Sequence, residues 1–283
     1  MPIVLAAFLA ACSTVRLSYD NADWLAARMA GRYVDLSDEQ ARAFKTGLSQ
    51  VHAWHRAQEL PRYAQVFDQA AGRVARGLSR QDIDWALQAV RGRARALGEQ
   101  AAGEIAPVLR TLSDRQVAEM ERQFDEDNAR FARTHLKGDS GRLEARRADW
   151  LCEKLDDWVG DLAPAQRTRV RRLVAAFPEM PRLRLEERKR RQAVFLELVR
   201  EHRSGPELEP RLTDFLVDPG AGRAQANRLA MARWERQFVD MLLDLDRSLT
   251  PEQRRHAVAK LRGYAGDFRA LAEQQVALVP QPQ

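Results

Sequence analysis

The sequence predicts an all-α protein: an elongated helical bundle or arch of about eight to ten helices. Three observations predict it: apolar residues recur every three or four positions, one helix-start motif recurs along the chain, and proline and glycine interrupt the pattern at intervals. Hydrophobic residues make up 45% of the 283 residues and charged residues 30%. This composition supplies a packed core and excludes a disordered chain.

The apolar stripes each cover one helix face and leave arginine and acidic residues on the other, as in helices that pack on one another. The clearest stripes are Phe44, Leu48, Val51 and His55; Met231, Trp234, Phe238, Met241, Leu242 and Leu245; and Val258, Leu261, Ala265, Phe268 and Leu271.

Proline and glycine mark where the helices should end. We expect Pro61 to kink or split the first long helix. Further breaks are expected within 136–142, 177–182, 203–210 and 217–223, because each segment contains proline or glycine. The last residues, 277–283, are expected to fray.

Three five-residue motifs predict helix starts. In a capping box, the hydroxyl of a serine or threonine accepts a hydrogen bond from the backbone N–H of the residue three positions later. The side chain of that later residue accepts a hydrogen bond from the backbone N–H of the serine or threonine. The preceding leucine packs over the first turn. The motif residues are Leu36, Ser37 and Gln40; Leu112, Ser113 and Gln116; and Leu249, Thr250 and Gln253. Two degenerate copies occur: LAPAQ at 162–166, with alanine at the cap, and LSRQD at 78–82, with aspartate in place of glutamine.

The spacing of the motifs suggests two similar helical halves, 12–137 and 142–276. The first pair of motifs is 112 − 36 = 76 residues apart, and the degenerate copy lies 249 − 162 = 87 residues before the last motif. In both halves an amphipathic helix leads directly into the second motif. Generic helical sequence that imitates itself is the alternative explanation.

The N-terminus, MPIVLAAFLAAC, is an uncharged apolar run that ends at Cys12. It is far shorter than the ~20 residues of a membrane-spanning helix and fits the core of a signal peptide. Its end resembles the bacterial lipobox, which implies a signal peptide over 1–11, lipidation of Cys12 and stable anchoring through several acyl chains. Ser13 in place of aspartate implies the outer membrane, with the protein facing the periplasm. An ordinary buried N-terminus is the alternative.

An ordered set of aromatic, acidic and basic residues follows this cysteine. The set comprises Tyr19, Ala22, Asp23, Trp24 and Leu25, then Tyr33 to Leu36, then Trp54, His55 and Arg56, then Glu59 to Tyr63. It resembles an uncharacterised lipoprotein family of Gram-negative bacteria across most of the chain. The resemblance implies an envelope location and no established activity.

The helix-start motifs also resemble the Leu-Thr-x-x-Gln motifs of the Spy/CpxP-type periplasmic stress proteins. Those are small helical proteins whose subunits pair into a shallow cradle, and Spy holds unfolding clients there without ATP. Two motif pairs in one chain imply a fused equivalent of such a dimer. This chain is about twice as long, however, and two of its motifs carry serine.

The candidates for metal binding have incomplete ligand sets. His52 and His55 lie three residues apart with Glu59 one turn on, but zinc takes three or four ligands and His55 continues an apolar stripe. The acids at 125–128 lack the spacing and glycine of a calcium loop. We predict no metal and no cofactor.

Two candidates for catalysis are weak as well. Ser140 lies in a GDSG sequence that echoes a serine-protease loop, but it falls between helices in a chain without strands. Cys152 lies among apolar helix positions, which favours a buried, inert thiol. We therefore predict no catalytic residue.

The chain is strongly basic, with a formal charge of +6 and a pI of about 9.7. A basic stretch at 167–191 is the candidate surface for an anionic partner, with a merely solubilising helix face as the alternative. The residues predicted to form that surface are Arg167, Arg169, Arg171, Arg172, Arg188, Lys189, Arg190 and Arg191; the same stretch also contains Arg182 and Arg184. Nucleic acid is excluded as a partner by the predicted export.

These observations predict a non-catalytic envelope lipoprotein, attached to the membrane by its lipid anchor, that binds protein clients or envelope components. ATP-independent, chaperone-like holding is the leading form of this function. A structural tether with one fixed envelope partner is the alternative, and a hydrolase of the envelope is third. The sequence does not decide the oligomeric state.

Overall fold

A computed structural model describes residues 19–276 as a set of packed helices. The elements are, in chain order, α1 (Ala22–Ala30), α2 (Asp38–Trp54), a π-helical turn (His55–Glu59), α3 (Leu60–Arg76), α4 (Arg80–Arg110), α5 (Asp114–His135), α6 (Ser140–Val159), α7 (Pro164–Ala175), α8 (Met180–His202), α9 (Leu208–Val217), α10 (Gln225–Arg247) and α11 (Pro251–Val276).

Helices α2 and α3 form one continuous rod, because the π-helical turn joins them without a break. The turn ends just before Pro61, whose nitrogen has no hydrogen to donate, so a local change of hydrogen-bond pattern accommodates the proline. Pro61 therefore changes the helix type but does not split the helix. With this rod counted once, the described residues form ten helices and no strand, which confirms the predicted all-α class.

The breaks between the later helices lie where proline and glycine predicted them. Four interhelical segments, 136–139, 176–179, 203–207 and 218–224, each lie in or overlap a predicted break. Gly138 and Gly222 have φ angles of +117° and +71°, a region that favours glycine. The local signals of the sequence thus place these helix ends.

Two hydrophobic clusters form much of the core of the described residues, and each contains residues that are distant in sequence. The first joins residues within 34–120 to residues within 196–212. The second joins residues within 152–183 to residues within 241–257. Leu36 and Leu112 belong to or pack on the first cluster, and their counterparts in the second are Leu162 and Leu249.

Helices of the two predicted halves pack on each other reciprocally. Helix α3 packs along α11, with the Phe67 and Phe268 ring centroids 5.3 Å apart, and α5 packs on α8. If the motifs align the halves, α3 corresponds to α8 and α5 to α11. The last helix of each half would then pack on the other half, as in a fused dimer. The division into two halves itself stays a prediction.

Close helix crossings occur at two glycines, and both crossings involve α4. A Cβ atom on Gly47 of α2 would lie 2.7 Å from the backbone carbonyl oxygen of Glu104. A Cβ atom on Gly98 would lie 3.1 Å from Cβ of Leu216 in α9. Glycine is therefore what allows α2 and α9 to approach α4 so closely.

Gly47→Ala is expected to lower the free energy of unfolding by about 1–3 kcal/mol, because the backbone of α2 or α4 must shift to admit the methyl group. Gly72→Ala is the matched control, since a Cβ there has nothing within 4 Å and alanine favours a helix interior by up to about 1 kcal/mol. Urea unfolding of both variants measures the difference. Equal stabilisation by the two substitutions would contradict the close crossing.

Candidate functional site: an arginine-rimmed apolar groove

The predicted helix starts are capped as the capping box requires. At the serine motifs the Ser37 and Ser113 side chains accept from the backbone N–H three residues on, and the glutamine accepts from the serine N–H. Thr250 makes the same two bonds with Gln253, at 3.2 and 3.0 Å. In the degenerate copy LAPAQ, Ala163 at the cap has no hydroxyl. Only the bond from the Ala163 N–H to Gln166 Oε1 therefore forms, at 2.8 Å.

The motif glutamines also pair with one another across the fold. Gln116 Nε2 donates to Gln40 Oε1 at 2.7 Å, and Gln253 Nε2 donates to Gln166 Oε1 at 3.0 Å. Each of the four amides also donates to the carbonyl of the residue just before the partner motif's leucine. These two glutamine clasps join helix starts to each other, so the motif residues are structural.

The α7 part of the basic stretch is partly neutralised. Arg167 donates to Asp156 at 2.8 Å and Arg171 to Asp149 at 3.4 Å, both acids belonging to α6. Arg172 is exposed and Arg169 is half-buried. Arg167 and Arg171 thus hold α7 against α6, and none of the four arginines lines the groove described next.

The α8 part of the stretch divides between two directions. Arg190 donates to Glu187 at 2.6 Å and to the carbonyl of Pro219 at 2.9 Å, so it supports the loop after α9. Lys189 points to solvent. Arg188 and Arg191 instead line a surface groove. The candidate surface predicted from the sequence thus contains two residues of this groove.

The groove has a volume of about 520 Å³ and lies where four helices meet. Its apolar lining comes from α5, α8, α9 and α10, and its basic lining comes from α8 alone. The apolar residues are Phe124, Leu183, Phe195, Phe215 and Met231, and the basic ones are Arg184, Arg188 and Arg191. A groove of this size and composition suits an amphipathic ligand segment.

Most of the basic side chains of the groove have no ion pair with an acid of the described residues. Arg188 lies 3.5 Å from Asp127, but Arg184 and Arg191 make no ion pair within the described part of the chain. The Arg191 guanidinium stacks on the Phe215 ring, 4.5 Å from its centroid. Burial lowers the pKa of Arg191, since its charge is poorly solvated there. An incoming carboxylate would relieve that cost.

Glu187 is the acid among the described residues that line the groove, and its negative charge is already paired with arginines. Burial raises its pKa, but hydrogen bonds from Arg190 and Arg223 outweigh burial and lower the pKa to about 2. The carboxylate is therefore ionised at neutral pH and held by two arginines outside the basic rim. Glu187 makes no ion pair with Arg184 or Arg191, although its charge acts on Arg191 from a longer distance.

Arg184 belongs to the basic stretch read from the sequence but not to the candidate surface predicted within it, and the apolar floor was not predicted. Arg184, Arg188, Arg191 and Phe195 follow helical spacing of three and four, so one face of α8 was readable in the sequence. Phe124, on a distant helix, joins that face only in the folded chain.

The histidine pair lies in an aromatic cluster at the π-helical turn. His55 Nδ1 is 2.9 Å from the Tyr19 hydroxyl, and His55 Nε2 is 3.2 Å from the Tyr63 hydroxyl. Burial lowers the pKa of His55, which favours the neutral ring. Glu59 is fully buried and is bound by two arginines. Within residues 19–276, no group of three or more His, Cys, Asp or Glu residues is placed to hold a metal.

The two weak candidates for catalysis, Ser140 and Cys152, lie at a helix start and in the core. Ser140 begins α6, and the preceding Asp139 caps that helix by accepting from the Arg142 N–H at 2.7 Å. Cys152 is 1% exposed in the second cluster, and burial raises the pKa of its thiol. Cys12 lies outside the described residues. None of the described helices is both long and apolar enough to cross a membrane.

The fold and the groove define the class of this protein: an all-α bundle with an amphipathic surface groove. The chain belongs to DUF6279, a family of unknown function, whose family model matches residues 32–228. Comparison with curated proteins and with solved structures gave no match.

Proposed function

We propose that this protein is a non-catalytic envelope lipoprotein that holds exposed segments of client proteins in the arginine-rimmed groove. The groove carries the proposal, because its apolar floor and basic rim suit a segment with a large apolar side chain beside an acidic one. Anchoring through Cys12 at the outer membrane would place the groove in the periplasm, where such holding proceeds without ATP.

The proposal is supported by the absence of ion pairs of Arg184 and Arg191 within the described residues, and by the two glutamine clasps. The clasps use the helix-start motif that resembles Spy/CpxP-type proteins, and each predicted half contains one clasp. A tether with one fixed envelope partner would use the same groove for a single specific ligand.

The test is the aggregation of a chemically unfolded model client, with and without residues 13–283 of this protein. We expect suppression near an equimolar ratio without ATP, and at least a several-fold loss of it in the double variant Arg184→Glu/Arg191→Glu. Lys189→Glu is the matched control, because Lys189 lies on the same helix, faces solvent and does not line the groove. Thermal unfolding by circular dichroism checks that all variants fold.

Absence of suppression at several-fold excess would overturn client holding and leave a tether. Suppression that survives reversal of both groove arginines would overturn the assignment of the groove.

A further inference from the structure

Helix α1 turns its large apolar side chains away from the protein. Trp24, Leu25 and Met29 are 61%, 42% and 60% exposed, whereas the alanines of the same helix are half-buried. The helix packs on α2. A soluble helix normally has the opposite arrangement, with its largest apolar residues inward. No described residue covers this outer face of α1, formed by Trp24, Leu25, Arg28 and Met29.

The charge on this face identifies a class of partner. The Arg28 guanidinium lies 5.8 Å from the centroid of the Trp24 ring, and Arg28 forms no ion pair with the side chains that the structure describes. Tryptophan favours the boundary between headgroups and acyl chains, and arginine binds anionic headgroups from the same depth. An anionic membrane surface satisfies both side chains and receives the apolar ones.

The start of α1 is fixed to the body of the protein. The Tyr19 hydroxyl lies 2.9 Å from His55 Nδ1, and Asp20 binds Arg56 at 2.7 Å. The outer face of α1 is therefore presented in one orientation relative to the π-helical turn, so its insertion would orient the whole body.

The position of α1 fits the same partner. Ala22 follows Cys12 by ten residues, a length that reaches at most about 35 Å when fully extended. With Cys12 lipidated, which is part of the proposed function, the start of α1 lies within about 35 Å of the lipid anchor.

We propose that the outer face of α1 lies in the interfacial layer of the membrane that carries the lipid anchor. The acyl chains hold the protein at the bilayer, and this face sets which side of the body points toward the periplasm.

The test couples the chain from residue 12 onward, through its Cys12 thiol, to maleimide lipids in vesicles. The vesicles contain phosphatidylethanolamine and phosphatidylglycerol with brominated acyl chains, which quench tryptophan on contact. Cys152 does not compete for the maleimide, because it is 1% exposed and its thiol pKa is raised by burial. The chemical coupling works whether or not cells lipidate Cys12, so failure of this inference is separable from failure of the lipoprotein proposal.

We expect coupled protein to lose tryptophan fluorescence in brominated vesicles relative to unbrominated ones, and Trp24→Phe to remove most of that loss. Trp150→Phe is the matched control, because Trp150 is similarly exposed, at 57%, but lies on α6. Leu25→Ser/Met29→Ser should reduce the quenching of the remaining Trp24 at least two-fold. Absence of quenching, or quenching that Trp24→Phe leaves unchanged, would overturn the inference.

Discussion

Glu59→Ala is expected to lower the free energy of unfolding by about 3 kcal/mol, at the lower end of what breaking a buried ion pair costs. The Glu59 side chain is 0% exposed and accepts from Arg62 at 2.8 Å and from Arg93 at 3.1 Å. The two arginines are partly exposed, so water solvates them when the carboxylate is lost. Urea unfolding followed by circular dichroism measures the change.

A second substitution separates the ion pair from simple loss of volume. Arg93→Met leaves the buried carboxylate with one partner and should also destabilise, but Glu59→Met/Arg93→Met should cost less than the sum of its single variants. Glu99→Ala is the control: its partner Arg95 is 64% exposed, and such surface pairs contribute at most about 0.5 kcal/mol. Additive costs would show that Glu59 and Arg93 do not stabilise each other.

Gln253→Ala is expected to cost about 2–3 kcal/mol, because it removes several bonds at a buried position. Gln253 is 7% exposed; it accepts from the Thr250 N–H at 3.0 Å and donates to the Asp161 carbonyl at 2.7 Å. Its loss leaves the amide of Gln166 without its pair. The midpoint of urea unfolding reports the cost.

The clasp itself is tested by a double-mutant cycle with Gln166→Ala, which should show coupling of at least about 0.5 kcal/mol between the two glutamines. Gln116→Ala should cost less than Gln253→Ala, since Gln116 is only half-buried. Gln81→Ala controls for helix propensity, because Gln81 is an exposed first-turn residue of α4. Zero coupling would mean that the paired amides are independent of each other.

The helix starts were predictable because a capping box is local: Ser37 and Gln40 lie within one turn and satisfy each other's backbone. Pairing of the glutamines was only half readable. The box uses Gln40 Oε1 and leaves Nε2 with hydrogens that need acceptors when buried, but the sequence does not say where those acceptors lie.

The groove was less predictable than the helices. Its arginines were visible as part of a basic stretch, yet the sequence could not separate Arg191, which lines the groove, from Arg190, which holds Glu187 and a loop. Adjacent residues on a helix point about 100° apart, so this difference follows from geometry once the buried face is known. The floor residues depend on tertiary packing between distant helices.

The packing of α3 on α11 also constrains the order of folding. Arg56 donates to the carbonyl of Leu271, 215 positions further along the chain, and Phe67 packs on Phe268 nearby. Contacts of such separation form slowly, because a long stretch of chain must be ordered before the two helices meet. The aromatic face of α3 therefore stays exposed until α11 has packed on it. Until α11 packs on α3, the protein must avoid aggregation through this exposed aromatic face.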